Sequence, residues 1–131
     1  MELLKNRILK DAIVIGDSIV KVDSFLNHQL DIELFNEMGK EFKKRFSDEN
    51  ISRILTVEAS GIAVACIAAQ YFSVPVVFAK KYEALNLDSD TYQSEVYSFT
   101  KQKSYNIRVS KKYISPEDNV VSSFETILKE R

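Results

Sequence analysis

The sequence predicts a single α/β domain with a parallel β-sheet at its core. Its central part has the order strand, tight turn, helix and strand, with strands at residues 54–57 and 74–78 and a helix at residues 62–72. Neither strand alternates apolar and polar side chains, which is typical of a parallel sheet covered on both faces. The chain has 131 residues, of which 45% are hydrophobic, and this is enough for one core but not for a second domain.

Three elements are predicted ahead of this unit. Residues 2–9 form a short amphipathic helix. Two β-rich runs, residues 13–15 and 19–22, flank Gly16 and predict a β-hairpin. Asp31 is a suitable N-cap for a second helix, because apolar side chains recur every four residues behind it at Leu34, Met38, Phe42 and Phe46.

The last third of the chain predicts mainly β-structure. Residues 80–91 are polar and predict a loop, while residues 95–99 and 105–109 alternate apolar and polar side chains and predict an antiparallel ribbon. Residues 120–121 predict at most the stub of a further strand. A terminal helix is predicted at residues 122–131, which open with the spacing of a capping box.

The composition argues against several classes of function. With 18 basic and 19 acidic side chains, the chain offers no overall electrostatic attraction for nucleic acid or for an anionic membrane. The longest apolar run, residues 62–69, is too short to cross a bilayer. One histidine, His28, and one cysteine, Cys66, make no convincing metal site and no internal disulfide, which fits a reducing cytoplasm. We expect His28 to be a hydrogen-bonded packing residue and Cys66 to be a small core residue.

The strongest local signal for a binding site is the turn formed by Glu58, Ala59, Ser60 and Gly61. A strand that turns at small residues into a helix points free backbone N–H groups at one spot, which suits an anion beyond the carboxyl end of the strand. Two alternatives remain open at this point. A tight turn needs small residues for structural reasons alone, and the Glu58 carboxylate is either part of a site or an acceptor that caps the turn.

Basic residues follow this turn in two places. Lys80 and Lys81 come directly after the second strand, where both ammonium groups could emerge beside the turn and suit a diphosphate. Lys101 and Lys103 lie at the tip of the ribbon, which could close over a phosphorylated substrate. In both places the alternative is a solvated loop.

Four segments of the chain, taken together, resemble a known protein family. They are residues 21–29 (KVDSFLNHQ), 58–62 (EASGI), 74–81 (VPVVFAKK) and 96–102 (VYSFTKQ). In this order and spacing they resemble the type I purine phosphoribosyltransferase family. The resemblance runs from residue 1 to about residue 121, and its first segment is specific to the members that act on xanthine.

The resemblance implies a fold and a reaction. The fold is the α/β type I phosphoribosyltransferase fold, with an N-terminal hood at residues 1–30, a core at residues 31–121 that includes an antiparallel lid ribbon at about residues 93–110, and a divergent tail at residues 122–131. The reaction is transfer of a phosphoribosyl group from phosphoribosyl diphosphate, with Mg²⁺, to xanthine. It gives xanthosine monophosphate in purine salvage, usually in a homodimer.

The resemblance also implies roles for single residues. Val20 and Asn27 fall where the hood contacts xanthine, although Val20 replaces a more usual leucine. The loop that receives the diphosphate corresponds to Glu58, Ala59, Ser60 and Gly61. The basic pair after the second strand corresponds to Lys80 and Lys81, and the lid contains Lys101 and Lys103.

The chain departs from the family pattern after residue 121. The pattern continues with two acidic residues that hold the ribose hydroxyls and with a small-residue loop for the 5′-phosphate. Residues 122–126 are instead SSFET, and Gly61 is the last of the 3 glycines. A truncated or frame-shifted sequence would have this form. We therefore expect a fold that is incomplete on its C-terminal side and does not catalyse the transfer; the alternatives are a non-catalytic purine- or diphosphate-binding module and a degenerate fragment.

Overall fold

The computed structural model describes residues 1–82, 90–98 and 102–122. The helices in these ranges are α1 (Glu2–Asp11), α2 (Ile32–Arg45) and α3 (Ser60–Phe72), with a turn of π-helix at Asp23–Asn27. The strands are β1 (Ile13–Ile15), β2 (Ile19–Lys21), β3 (Arg53–Val57), β4 (Val76–Tyr82), β5 (Thr91–Ser98), β6 (Lys103–Ser110) and β7 (Val120–Ser122). Lys101, most of the predicted loop and, apart from Ser122, the predicted terminal helix lie outside the described residues.

The N-terminal elements form as the sequence predicts. β1 and β2 pair in an antiparallel hairpin with Val14 opposite Val20, and Gly16 has a φ of 61° that suits the turn between them. Asp31 is the N-cap of α2, where its side chain accepts a hydrogen bond from the backbone N–H of Leu34 at 3.0 Å. Local capping and periodicity are therefore enough to define these elements.

The core lies between the helices and one face of the main sheet. The apolar side of α2 packs against α3, which in turn packs against β3 and β4. A Cβ atom on Gly39 would lie 2.7 Å from the ring of Tyr71 and 3.2 Å from the Cα of Ala68, so the two helices approach closely there. The side chains buried to at least 99% in this core include Phe25, Phe35, Met38, Ile54 and Val64. In the described ranges, no helix is both long and apolar enough to span a membrane.

The main sheet has five strands in the order β5-β6-β4-β3-β7. β3 and β4 are parallel neighbours with Ile54 opposite Val76, and α3 connects them, so the predicted strand–helix–strand unit is confirmed. β7 adds the predicted short strand, parallel to β3 on its other side. The ribbon of β5 and β6 is antiparallel, as predicted, but β6 also pairs with β4 and thereby extends the main sheet.

The expectations for Lys80, Lys81 and Cys66 are wrong. Lys80 and Lys81 do not lie in a loop, because pairing with β6 prolongs β4 beyond its apolar run to Tyr82. Cys66 is exposed and does not belong to the core. The periodicity of α3 accounts for this, since its buried face carries Val64, Ala65, Ala68, Ala69 and Phe72.

The expectation that the parallel strands are covered on both faces holds only in part for the described residues. The described helices gather on the face that carries Ile54, where α3 packs on β3. Leu55 and its partner Val77 face the other way and are only half-buried. On the same face Ala79, in register with Val57, is only 4% exposed, so this face is less covered around Leu55 and Val77 but is not open along its whole length.

Candidate functional site

The turn between β3 and α3 is the centre of the candidate site. β3 ends at Val57 and α3 begins at Ser60, so Glu58 and Ala59 form the connection, with a cis peptide bond between them. The N-cap residue Ala59 offers no side-chain hydrogen bond to the helix. The first N–H groups of α3 therefore have no side-chain cap, and the positive end of the helix dipole lies at the carboxyl end of β3.

Gly61 is fixed by its contact with the strand that precedes it. A Cβ atom at this position would lie 2.2 Å from the Oγ1 atom of Thr56, far closer than any real contact allows. Thr56 itself is only 1% exposed and is the one buried polar side chain among the residues that the structure describes. The structural alternative thus explains the glycine in full, and Ala59 and Ser60, which precede it in the turn, are exposed.

Glu58 is held by the neighbouring strand. Its Oε1 atom accepts a hydrogen bond from the backbone N–H of Lys81 at 2.5 Å, and its own N–H donates to the carbonyl of Ala79 at 3.1 Å. Of the two alternatives for Glu58, the geometry favours the acceptor that fixes the turn. The carboxylate ties the turn to the end of β4 and sets the distance between these two segments.

The structure does not bring the ammonium groups of Lys80 and Lys81 to one point. Consecutive side chains of a strand point to opposite faces. Lys81 places its Nζ atom 4.9 Å from the centre of the Tyr105 ring on β6. Lys80 instead borders a groove of about 400 Å³ that also includes Arg53 and Lys112. Of the pair, Lys81 is the one whose backbone contacts the candidate turn.

The residues predicted to contact the purine lie on the exposed N-terminal segment. Val20 is in β2 and is 52% exposed, while Asn27 ends the π-helical turn and is also exposed. Next to Asn27, His28 is exposed as well, contrary to the expected packing role. Lys103 begins β6 and pairs with Ser98 near the end of the ribbon. The purine and lid roles stay predictions, and Lys101 lies outside the described residues.

Sequence reasoning missed the partners that hold these segments. Thr56 could have been suspected, because it is the one polar residue of the predicted strand at residues 54–57. No sequence pattern indicated a role for Tyr105, because its contact with Lys81 depends on the pairing of β4 with β6. Likewise, the bond between the Ser52 hydroxyl and Asp118 at 2.8 Å joins residues that are far apart along the chain.

The amino-acid sequence was compared with those of known proteins. No protein-family model matches the chain. It is 69% identical over 121 residues to the xanthine phosphoribosyltransferase of Ruminiclostridium cellulolyticum and 66% identical over 121 residues to that of Clostridium novyi. The chain is a relative of the xanthine phosphoribosyltransferases. Each of these matches covers 92% of the chain, but only 64% of the length of the relative.

Solved structures support the type I phosphoribosyltransferase fold independently of the sequence. Adenine phosphoribosyltransferase from Saccharomyces cerevisiae matches with a TM-score of 0.66 at 16% identity, and the match covers 93% of this chain and 71% of that one. At this identity the likeness concerns the fold alone. The relationship to the xanthine phosphoribosyltransferases therefore rests on the sequence, and the architecture rests on both comparisons.

Proposed function

We propose that the chain is the purine- and diphosphate-binding part of a xanthine phosphoribosyltransferase, which acts in purine salvage in the cytoplasm. The observation that carries the proposal is the uncapped start of α3 beside Gly61, which is packed on Thr56 at the carboxyl end of a parallel strand. Ligands of open α/β sheets bind at this edge. The names of the relatives support xanthine as the base and phosphoribosyl diphosphate as the co-substrate.

The proposed reaction needs charge stabilisation at the leaving diphosphate. A ring nitrogen of xanthine forms a bond to C1 of the ribose while the bond from C1 to the diphosphate oxygen breaks, so that diphosphate leaves with the electron pair and the imidazole-ring proton of the base is released to solvent. Donors fixed in advance around this group lower the barrier most effectively. The backbone N–H groups of Ser60 and Gly61 would supply them, and Lys81, whose backbone N–H bonds to Glu58 of the same turn, would turn its ammonium group from the Tyr105 ring towards the diphosphate.

The N-terminal hood would supply recognition of the base. The exposed side chain of Val20 offers an apolar surface to the flat face of a purine. The side-chain amide of Asn27 can both donate and accept hydrogen bonds, as the edge of xanthine requires. Mg²⁺ enters this scheme with the co-substrate, whose phosphate oxygens are its preferred ligands. Among the described residues, no group of three or more His, Cys, Asp or Glu side chains could hold a metal ion.

The proposal assigns binding, and not turnover, to these 131 residues by themselves. The sequence after residue 121 lacks the acidic pair and the glycine-containing loop expected for the ribose and its 5′-phosphate. A homodimer is part of the proposal, because the β1–β2 hairpin exposes apolar side chains suited to a protein contact. These side chains are Ile13, Val14, Ile15 and Ile19, which are between 37% and 66% exposed.

A titration with pyrophosphate at low ionic strength tests the binding. We expect the amide signal of Gly61 to shift, and Lys81→Ala to weaken the affinity up to about fivefold, because an exposed ion pair contributes only about 0–1 kcal/mol. Lys80→Ala is the matched control, since its side chain borders the groove. An unmoved Gly61 signal, or equal effects of the two variants, would contradict the proposed site.

An activity assay tests the second part of the proposal. We expect xanthine, phosphoribosyl diphosphate and Mg²⁺ to give no xanthosine monophosphate above a protein-free blank with this chain alone. Product formation would show that turnover does not need the missing pattern. If the chain neither forms product nor binds pyrophosphate, the result would favour the degenerate fragment over the binding module.

A further inference from the structure

Arg7 in α1 contacts three separate segments of the N-terminal half. Its Nε atom lies 2.5 Å from a carboxylate oxygen of Asp11, at the end of the same helix. Its Nη1 atom lies 2.5 Å from a carboxylate oxygen of Asp31, the N-cap of α2, and its guanidinium carbon lies 5.1 Å from the centre of the Phe25 ring. Because a guanidinium group is planar with donors in a fixed fork, one side chain can hold both carboxylates while its face lies over the ring.

Phe25 anchors the π-helical turn at Asp23–Asn27 in the core. Its side chain is 0% exposed, and its carbonyl accepts a hydrogen bond from the backbone N–H of Asp31 at 2.9 Å. A second bond closes the turn, from the N–H of Gln29 to the carbonyl of Asp23 at 2.8 Å. The guanidinium group thus holds the turn in two ways, through the ring of Phe25 and through the side chain of the residue that bonds to its backbone.

The same turn carries Asn27, the side chain proposed to recognise the edge of the purine. Asn27 ends the turn two residues after Phe25, and it is exposed while Phe25 is buried. A recognition side chain must be held within about 0.5 Å of its productive position, which takes support from the residues behind it. For Asn27 this support comes from Phe25 and from the contacts that fix Phe25 in place.

We propose that Arg7 is a positioning residue for purine recognition, which fixes the Asp23–Asn27 turn against α2 and so places Asn27. The inference rests on the proposed binding of xanthine by the hood. Without the guanidinium group the turn would sample further positions, and the apparent affinity for xanthine would fall in proportion to the fraction of time that the turn is competent to bind. Pyrophosphate binding at Gly61 depends on β3 and α3 and should not change.

Titration of the chain with xanthine tests this positioning role. Arg7→Met keeps the apolar stem and removes the fork. If the turn is then competent about a tenth of the time, the affinity read from the side-chain amide signal of Asn27 falls about tenfold. Amide exchange should accelerate more at Gln29 than at Ile54 in the core. The affinity for pyrophosphate, read at the Gly61 amide, should stay at the parent's value.

Two further variants serve as controls. Arg7→Lys keeps a cation beside Phe25 but cannot hold both carboxylates, so its loss of xanthine affinity should be smaller, about threefold. Arg45→Met removes the same group from the far end of α2, where the Nε atom of Arg45 lies 2.9 Å from a carboxylate oxygen of Glu41. This variant should leave xanthine binding unchanged.

The inference alone fails if the parent binds xanthine and Arg7→Met binds it equally well, if Arg7→Met weakens xanthine and pyrophosphate binding to the same extent, or if Arg45→Met causes the same loss. It also fails if xanthine binding weakens while exchange at Gln29 is unchanged, because Arg7 would then act on the ligand directly. If the parent binds no xanthine, the proposed base site fails first and the inference fails with it. Should Arg7→Met not fold, Arg7→Lys decides by the same criteria.

Discussion

The two faces of β3 differ in how they are packed. Ile54 and Thr56 point towards the helices and are each 1% exposed. Leu55 and Val57, which alternate with them along the strand, are half-buried. Successive residues of one short strand therefore experience a closed core and a less covered surface in turn. The comparison teaches that burial within β3 is concentrated on the face that carries the helices.

The largest expected effect separates these faces directly. Ile54→Ala should lower the free energy of unfolding by about 2–5 kcal/mol, because it leaves a cavity in a core that is already closed. Leu55→Ala should cost only about 1 kcal/mol, since less apolar surface is removed from contact. Urea denaturation of both variants measures the difference. Equal losses would mean that the less covered face is as tightly packed as the other.

An intermediate effect is expected at the turn on the packed face. Gly61→Ala should cost about 1–3 kcal/mol, because the new methyl group would overlap the Thr56 hydroxyl. The double variant Thr56→Ala with Gly61→Ala should recover part of this loss, since the next atom, Thr56 Cβ, is 3.6 Å away. A double-mutant cycle in urea measures the coupling. Strict additivity would show that the overlap is not what excludes alanine.

A smaller effect is expected at the cap of α2, which supports the packed face. Asp31→Ala should cost about 1 kcal/mol. The backbone N–H of Leu34 and then Arg7 lower the pKa of Asp31 below its ordinary value of 3.8. A lowered carboxyl pKa adds stability above 3.8 that is lost as the pH falls through the folded-state pKa. Unfolding measured between pH 7 and pH 2 should therefore show a smaller acid loss for the variant than for the parent.

The smallest expected effect concerns β7. Hydrogen bonds from the Ser115 backbone and then from the Ser52 hydroxyl lower the pKa of Asp118. Protonation as the pH falls should therefore loosen β7, and Asp118→Asn should loosen it at neutral pH with little change in global stability. Amide exchange at Val121 measures this against Ile54 in the core. Equal acceleration at both amides would mean that β7 does not open separately.

Local signals explain how much of the fold could be predicted. The cap at Asp31, the turn at Gly16 and the apolar strands around α3 each act over a few residues, so the sequence alone indicated them. The extension of β4 through Lys81 could not be seen in this way, because it depends on pairing with β6. The exposure of Cys66 was missed because a helix rich in alanine has a weak apolar stripe.

The candidate site was predictable in composition but not in arrangement. The turn from Glu58 to Gly61 was identified from its small residues and its place after a strand. The side chain of Glu58 bonds to the backbone of Lys81, and Lys80 faces elsewhere, because a strand separates neighbouring side chains. Thr56 lies in β3 and Gly61 lies in α3. Their contact therefore crosses the turn between two elements, and the sequence pattern of either element alone does not predict it.

The hydrogen bonds around the turn and around β7 also imply an order of folding. The bond between Glu58 and Lys81 closes a loop of 23 residues, whereas the bond between Ser52 and Asp118 closes one of 66. Longer loops lose more chain entropy on closure, so the strand–helix–strand unit can form while the distal strand is still unpaired. We therefore expect substitutions in β3 and α3 to slow refolding, and substitutions at Asp118 to act mainly by accelerating unfolding.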